Sequence, residues 1–392
     1  MPLWTRNYIL VLILNFTSFL GMWMLPNFLP VYIHSLGAPD WMLGWLTGVT
    51  SIASIIARPI SGQMVDRFGR RGVLLVGIIG MAISCVAFMF VPVVGAILAL
   101  RFTQGIFWGA TNTSCTTIVS DVLPKSRFAE GMGYFGMGSS LALIIAPALS
   151  LWLYYGYGEK FSVGVTAVFF ALSFVLSFLV PTRKAVKDSA AAGARPARKT
   201  STFRYLGSRI FERAAIPGGM MIFFFAFSQG VQQSYLPTMC AQRGLEGEVS
   251  WYFIVSAIFS LAGRPLLGRW ADRRGYTGPT VFACVCLTAS MLAVSQVHGV
   301  PLLLVAGVLQ GLGYSSGFSL FLSMATRNAP IVRRGIASAT AMVGFDAGNG
   351  LGAVALGALV SVGGYSIEFL GAAFFAAFAL LMYFAVVRKH VR

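Results

Sequence analysis

Long apolar runs alternate with short polar breaks along the whole chain. The runs fall at about 7–33, 41–61, 73–94, 96–119, 130–154 and 161–181, then at about 214–239, 250–267, 279–298, 300–324, 336–361 and 366–387. A helix that crosses a bilayer needs about 20 mostly apolar residues, which these runs supply. Spanning β-strands would instead show segments of about 10 residues with alternating polarity. The pattern predicts an all-α membrane protein with twelve transmembrane helices. One polar stretch, Thr182 to Arg213, is much longer than the other breaks. It carries nine Lys/Arg, the run Ser189-Ala190-Ala191-Ala192-Gly193, and Pro196. This composition predicts a basic linker with a short amphipathic helix near Phe203–Phe211. The chain then divides into a six-helix half (1–181), the linker (182–213) and a second six-helix half (214–392).

The two halves repeat each other. Arg58-Pro59-x-x-Gly62-x-x-x-Asp66-Arg67-x-Gly69 recurs as Arg264-Pro265-x-x-Gly268-x-x-x-Asp272-Arg273-x-Gly275, an offset of 206. The same offset carries Gln104-Gly105 onto Gln310-Gly311, Pro124 onto Pro330 and Arg127 onto Arg333. One register held over some seventy residues is not chance. Paired halves of this kind are the architecture of alternating-access transporters, with a cavity at the interface of the repeats.

Composition sharpens this picture. Of the 392 residues, 57% are hydrophobic and only 10% charged, against roughly 25% charged in soluble domains. The net charge of +17 could suggest nucleic acid, but its placement argues against that partner. Twenty-four of the 29 Lys/Arg lie in one set of alternating loops and termini, and the opposite set holds only Lys160 and Arg243. That asymmetry predicts cytoplasmic termini and basic loops on the cytoplasmic side of an inner membrane. The first run is too long for a signal-peptide core and is expected to remain as the first helix. Cys85, Cys115, Cys240, Cys284 and Cys286 form no disulfide framework, and the three histidines form no metal motif. No nucleophile–base pair or phosphate-binding G-x-x-x-x-G-K-S/T loop occurs. No enzyme site, cofactor or metal is expected.

Gly62-Gln63-Met64-Val65-Asp66-Arg67-Phe68-Gly69-Arg70-Arg71 resembles the G-x-L-x-D-R-x-G-R-R/K signature of the major facilitator superfamily, between its second and third helices. Arg101-Phe102-Thr103-Gln104-Gly105 resembles the R-x-x-Q-G motif of the drug/proton antiporter branches. Phe345-Asp346-Ala347-Gly348 is similar to an F-D-x-G motif of sugar-efflux-like bacterial members. The antiporter pattern G-x-x-x-G-P-x-x-G-G is eroded in the fifth segment, where Pro147 survives but Ala146, Leu149 and Ser150 replace the flanking glycines. The resemblance implies a proton-coupled transporter, mostly monomeric in this superfamily, with a small-molecule substrate. The antiporter motifs point outward. An importer of an organic acid, sugar or other metabolite is the alternative that the eroded fifth segment leaves open.

Asp346 is the sharpest candidate. It sits near the middle of a span, whereas the other eleven acidic residues are read as loop or helix-end positions. A carboxylate at the bilayer centre costs roughly 2.5–3.5 kcal/mol, so it faces a cavity or a partner. Proton coupling and helix packing are both open readings. Asn349 and Gly350 share its helix face. Arg101 carries Gln104, Trp108, Asn112 and Cys115 along its face; the resemblance implies coupling, and snorkelling to the outer interface is the alternative. Arg58 and Arg264 are read as structural, capping carbonyls freed by the following proline or reaching headgroups. The resemblance implies a cytoplasmic gate formed by Gly62, Asp66, Arg67, Gly69 and Arg70, with Asp272 and Arg273 in its second copy. It also implies a cavity lined by the first, fourth, seventh and tenth helices. These offer Asn15, Ser18, Met22 and Pro26; Gln104, Trp108 and Asn112; Gln229, Gln232, Gln233 and Tyr235; and Gln310, Tyr314, Phe318 and Phe321. Amides and rings suit an organic ligand held by hydrogen bonds and stacking. Helix–helix packing is the competing role.

Overall fold

The computed structural model describes residues 3–124, 127–180, 212–327, 329 and 334–390. The basic linker expected over 182–213 lies outside the described residues apart from Glu212 and Arg213. Pro330 and Arg333 of the repeat, and the side chain of Asp66, also lie outside them.

The described residues are helical throughout, without a strand. The helices are α1 (Arg6–Ser35), α2 (Leu43–Phe68), α3 (Arg70–Ala87), α4 (Val94–Val122), α5 (Phe128–Tyr157) and α6 (Glu159–Leu179). They continue with α7 (Ile216–Gln242), α8 (Val249–Arg274), α9 (Thr277–Ser295) and α10 (Val300–Arg327). The last helical stretch, Arg334–Ala385, leaves helical geometry at Gly363 and Gly364, which separates α11 (334–362) from α12 (365–385). Ten stretches of the described residues are long and apolar enough to cross a membrane. One of them spans both α11 and α12, and α4, polar along one face, is a further helix of spanning length. The twelve-helix expectation is met.

Two boundaries moved for local reasons. α3 begins before the apolar run, at Arg70 directly after Gly69, and its α-helix ends before the run does, at Ala87, ahead of Pro92, which has no N–H to continue a helix. The signature segment is also not an open loop. α2 reaches Phe68 and α3 starts at Arg70, so Gly69 alone makes the turn, at φ +84°. Only a residue without Cβ adopts that conformation cheaply. Asp66 and Arg67 are therefore in the last turn of α2, as Asp272 and Arg273 are in the last turn of α8 before Gly275, φ +78°. All the positive-φ residues described are glycines: besides this pair, Gly158 and Gly364 are again 206 apart, and Gly37 and Gly244 are 207 apart. The repeat first read in side chains is thus present in the turns of the backbone.

The chain forms two compact units. The first comprises Met1–Leu29 and Ile52–Arg198, the second Pro30–Ser51 and Lys199–Arg392. In the first, Leu14, Leu74, Ile78, Ile118, Val119 and Leu176 form part of one buried cluster. In the second, α7 and α11 approach backbone to backbone. A Cβ on Gly344 would lie 2.5 Å from the Gly219 carbonyl oxygen, and one on Gly348 only 2.2 Å from that of Phe223. Small residues every fourth position let two membrane helices close this far, where no hydrophobic force drives helices together. The start of α2 joins the same unit: Gly44 N–H donates to Tyr235 Oη (2.8 Å), and Thr47 and Ser234 share a hydroxyl bond of 2.9 Å.

Candidate functional site

Each unit carries its own buried polar set. In the first unit, α4 places Arg101 and Gln104 one turn apart, and Arg101 Nη1 donates to Gln104 Oε1 at 2.7 Å. Arg101 is 1% exposed, which rules out the snorkelling alternative: this guanidinium ends inside the protein. Trp108, one turn further, meets Phe19 of α1 edge-on with centroids 4.7 Å apart. Arg58 Nη1 reaches Asn112 Oδ1 at 3.4 Å, so it bonds across to α4. The expected role is to reach headgroups or to cap carbonyls freed by the proline; this side-chain bond to Asn112 is a contact that reading does not include. Asn15 is buried, but its Nδ2 donates to Ser139 Oγ of α5 (2.7 Å), making it a tie between helices. Met22 is buried with it in α1.

In the second unit, α10 brings Gln310 between two glutamines of α7. Its Nε2 donates to Gln229 Oε1 at 3.2 Å and to Gln232 Oε1. Directly after Gln310 the helix widens into a π-turn over Gly311–Ser315, an irregularity frequent at functional sites. Tyr314 lies at its end, stacked over Phe225 (6.5 Å) and Phe318 (6.3 Å). Phe318 in turn meets Phe345 of α11 at 5.6 Å, and Asp346 follows directly. Asp346 is 6% exposed and Asn349, one turn on, is also buried. Arg264 stands beside the Tyr314 hydroxyl, and Tyr235 is used in packing against α2 and the Ala353 carbonyl.

Several buried polar atoms of these sets have no hydrogen-bond partner among the described residues: Gln104 Nε2, both amide atoms of Gln233, Gln310 Oε1, Tyr314 Oη and Asn349 Oδ1. An unpaired buried group costs about 1–3 kcal/mol. Buried polar groups ordinarily find a protein or water partner, so these positions call for one. Their residues are those the sequence singled out.

The gate residues separate. Arg70 Nε pairs with Asp121 Oδ2 at 2.6 Å, tying the start of α3 to the end of α4. Arg71 caps the end of α6 through the Phe178 and Val180 carbonyls (2.9 and 2.6 Å). Arg67 lies over the Phe68 ring, and a Cβ on Gly62 would meet nothing within 4 Å. Asp272 and Arg273 are exposed, with Arg327 from α10 near Asp272 and over the Tyr276 ring.

One residue was missed. Glu368, placed by the sequence reading among the helix-end acids, is fully buried in α12. The Gly363–Gly364 break just before it made it look terminal. Two further rings, Phe19 and Phe225, complete the Trp108 and Tyr314 pairs. They are themselves 206 apart, as are Trp108 and Tyr314, so extending the repeat comparison would have found them.

Known proteins agree with this architecture. The sequence model of the Major Facilitator Superfamily matches residues 11–297 and 220–392. An uncharacterised MFS-type transporter of Methanocaldococcus jannaschii is 26% identical over 155 residues, 40% of each chain. The quinolone resistance protein NorA of Staphylococcus aureus is 27% identical over 145 residues, 37% of each chain. The aligned part thus spans well under half of these relatives. Among solved structures, the nucleoside transporter NupG superposes with a TM-score of 0.70 at 16% identity, over 97% of this chain and 99% of that one. A bacterial homolog of the human lysosomal transporter Spinster gives 0.73 at 14% identity, over 99% of both. At such identities the structures speak for the fold alone. The family match covers nearly the whole chain, and this multi-pass membrane protein belongs to the Major Facilitator Superfamily, whose members are transporters.

Proposed function

We propose that the protein is a proton-coupled exporter of a small organic solute, working by alternating access in a bacterial inner membrane with both termini cytoplasmic. The halves 1–181 and 214–392 are its two moving parts, joined by the basic linker 182–213. The observation that carries this reading is the set gathered in the second unit: an amide bridge at Gln310, a ring series through Tyr314, Phe318 and Phe345, and the buried Asp346 on the same helix as Phe345. Amides and rings suit recognition of a planar, hydrogen-bonding solute. A buried carboxyl in the same unit can exchange its proton for the solute, because each changes the cost of the other's presence. Similarity to a quinolone resistance protein supports outward movement of an aromatic, zwitterionic or anionic compound. Arg101 supplies a fixed positive charge in the first unit, since guanidinium keeps its proton. The turns at Gly69 and Gly275, with Gly62, Asp66, Arg67, Arg70, Asp272 and Arg273 around them, act as the cytoplasmic gate. One charge moved through about 100 mV yields about 2.3 kcal/mol, enough for a roughly 50-fold solute gradient.

The test is proton flux in proteoliposomes of the full chain, challenged with pooled aromatic and zwitterionic solutes, wild type beside Asp346→Asn. Solute-evoked proton movement opposite in sign to solute flux, and absent in the variant, is expected. Movement in the same direction as the solute would establish an importer, and movement retained in the variant would remove Asp346 from coupling.

A further inference from the structure

The second unit holds a group of ionisable side chains that the transport reading does not use, at the end that the loop charges place outside the cell. Its centre is Glu368 on α12, 0% exposed, with neither carboxyl oxygen hydrogen-bonded among the described residues. Burying a charged carboxylate without partners is prohibitive, so the form such a site holds is the neutral acid. Glu368 lies close enough to Asp40, Tyr235 and Tyr365 to interact electrostatically with each. Among the described residues no basic side chain is paired with it. Arg243, at the end of α7, donates to Ser366 Oγ (2.9 Å) and the Val297 carbonyl.

A route leads from this carboxyl to water. Tyr365 is one turn before Glu368, on the same helix face. Its hydroxyl donates to Asp40 Oδ1 at 2.9 Å, and His34 Nε2 lies 3.1 Å from the same oxygen. The side chains of His34 and Asp40 are 36% and 33% exposed, so this end of the chain of groups is wet. Gln242 Nε2 approaches His34 at 3.4 Å, and Tyr235 Oη is held by the Gly44 N–H and the Ala353 carbonyl, which keeps it out of the relay. We propose that Glu368 is a second proton-binding carboxyl, separate from Asp346, that exchanges its proton with the outer aqueous phase through Tyr365 and Asp40. Neither Glu368 oxygen bonds Tyr365 directly, so in the releasing direction a bridging water takes the Glu368 proton and gives one to the Tyr365 oxygen, while Tyr365 passes its own to the Asp40 carboxylate, which yields it to His34 or water. One proton moves and Tyr365 is restored. The proposal stands whether or not Asp346 carries the coupled proton.

Infrared spectroscopy of the full chain in lipid vesicles, without any solute, tests it. A protonated-carboxyl component should be present at neutral pH that is lost in Glu368→Gln, shifts in Glu368→Asp and persists in Asp346→Asn. Raising the external pH should bleach it reversibly, and Tyr365→Phe should slow the bleaching severalfold. A band unaltered by both Glu368 substitutions would overturn the proposal. So would a band lost in Glu368→Gln but constant at every external pH, which would make Glu368 a sealed packing acid. A failure of the Asp346 reading would show instead in solute-evoked proton flux, which this measurement does not use.

Discussion

The two units are built on one repeat, yet they equip it differently. Phe19–Trp108 in the first and Phe225–Tyr314 in the second are the same ring pair, displaced by 206 residues, and Gly69 and Gly275 make the same left-handed turn. On that shared frame the first unit buries a permanent cation, Arg101, tied to Gln104, while among the described residues the second buries an amide cluster and three acidic residues, Glu212, Asp346 and Glu368. The lesson is that helix packing was duplicated and the chemistry was not.

The glycines break the comparison most sharply. Gly138 and Gly344 occupy equivalent places, but a Cβ on Gly138 meets nothing within 4 Å, whereas one on Gly344 meets the Gly219 backbone at 2.5 Å. Gly344→Ala should destabilise by about 1–3 kcal/mol or abolish the monodisperse protein, as overpacking does. Gly138→Ala should be neutral or gain up to about 1 kcal/mol of helix propensity. Thermal unfolding in detergent, followed by fluorescence-detected gel filtration, reads both.

Next come the polar sets. Arg101→Gln removes a charge-assisted bond of about 1.5–3 kcal/mol, and transport should fall about 10- to 150-fold. Arg101→Lys should not restore it, because one ammonium does not replace the guanidinium fork. Gln310→Leu, at the counterpart of Gln104, removes two neutral bonds of about 0.5–1.5 kcal/mol each, so the solute's half-saturation should rise while the maximal rate is largely kept. Equal losses from both substitutions, measured as initial uptake rates in inverted vesicles, would erase the distinction between the units. The smallest effect belongs to the gate region. Arg70→Ala breaks a partly exposed pair with Asp121 and should cost at most about 1 kcal/mol of stability, less in high salt.

Much of this was legible in the sequence. Apolar run length alone set the twelve helices, and one register of 206 announced the paired halves. The amide and aromatic positions of α4, α7 and α10 were readable because helical spacing puts them on one stripe. Glu368 was not, since a charge near a Gly-Gly break reads as a solvated end until α12 is seen to bury it. Nor could the sequence distinguish Arg101 reaching outward from Arg101 turned onto Gln104, because both rotamers start from the same helix position. Asn15 shows the reverse: a polar residue on the right stripe that ties α1 to α5 through Ser139.

The central claim is that proton and solute compete through Asp346, and proton release on solute binding tests it most directly. Purified protein in weakly buffered detergent is titrated with a transported solute while pH is recorded. Wild type should release protons in proportion to solute bound, and Asp346→Asn should bind solute without releasing any. Equal release from the two proteins would contradict the account.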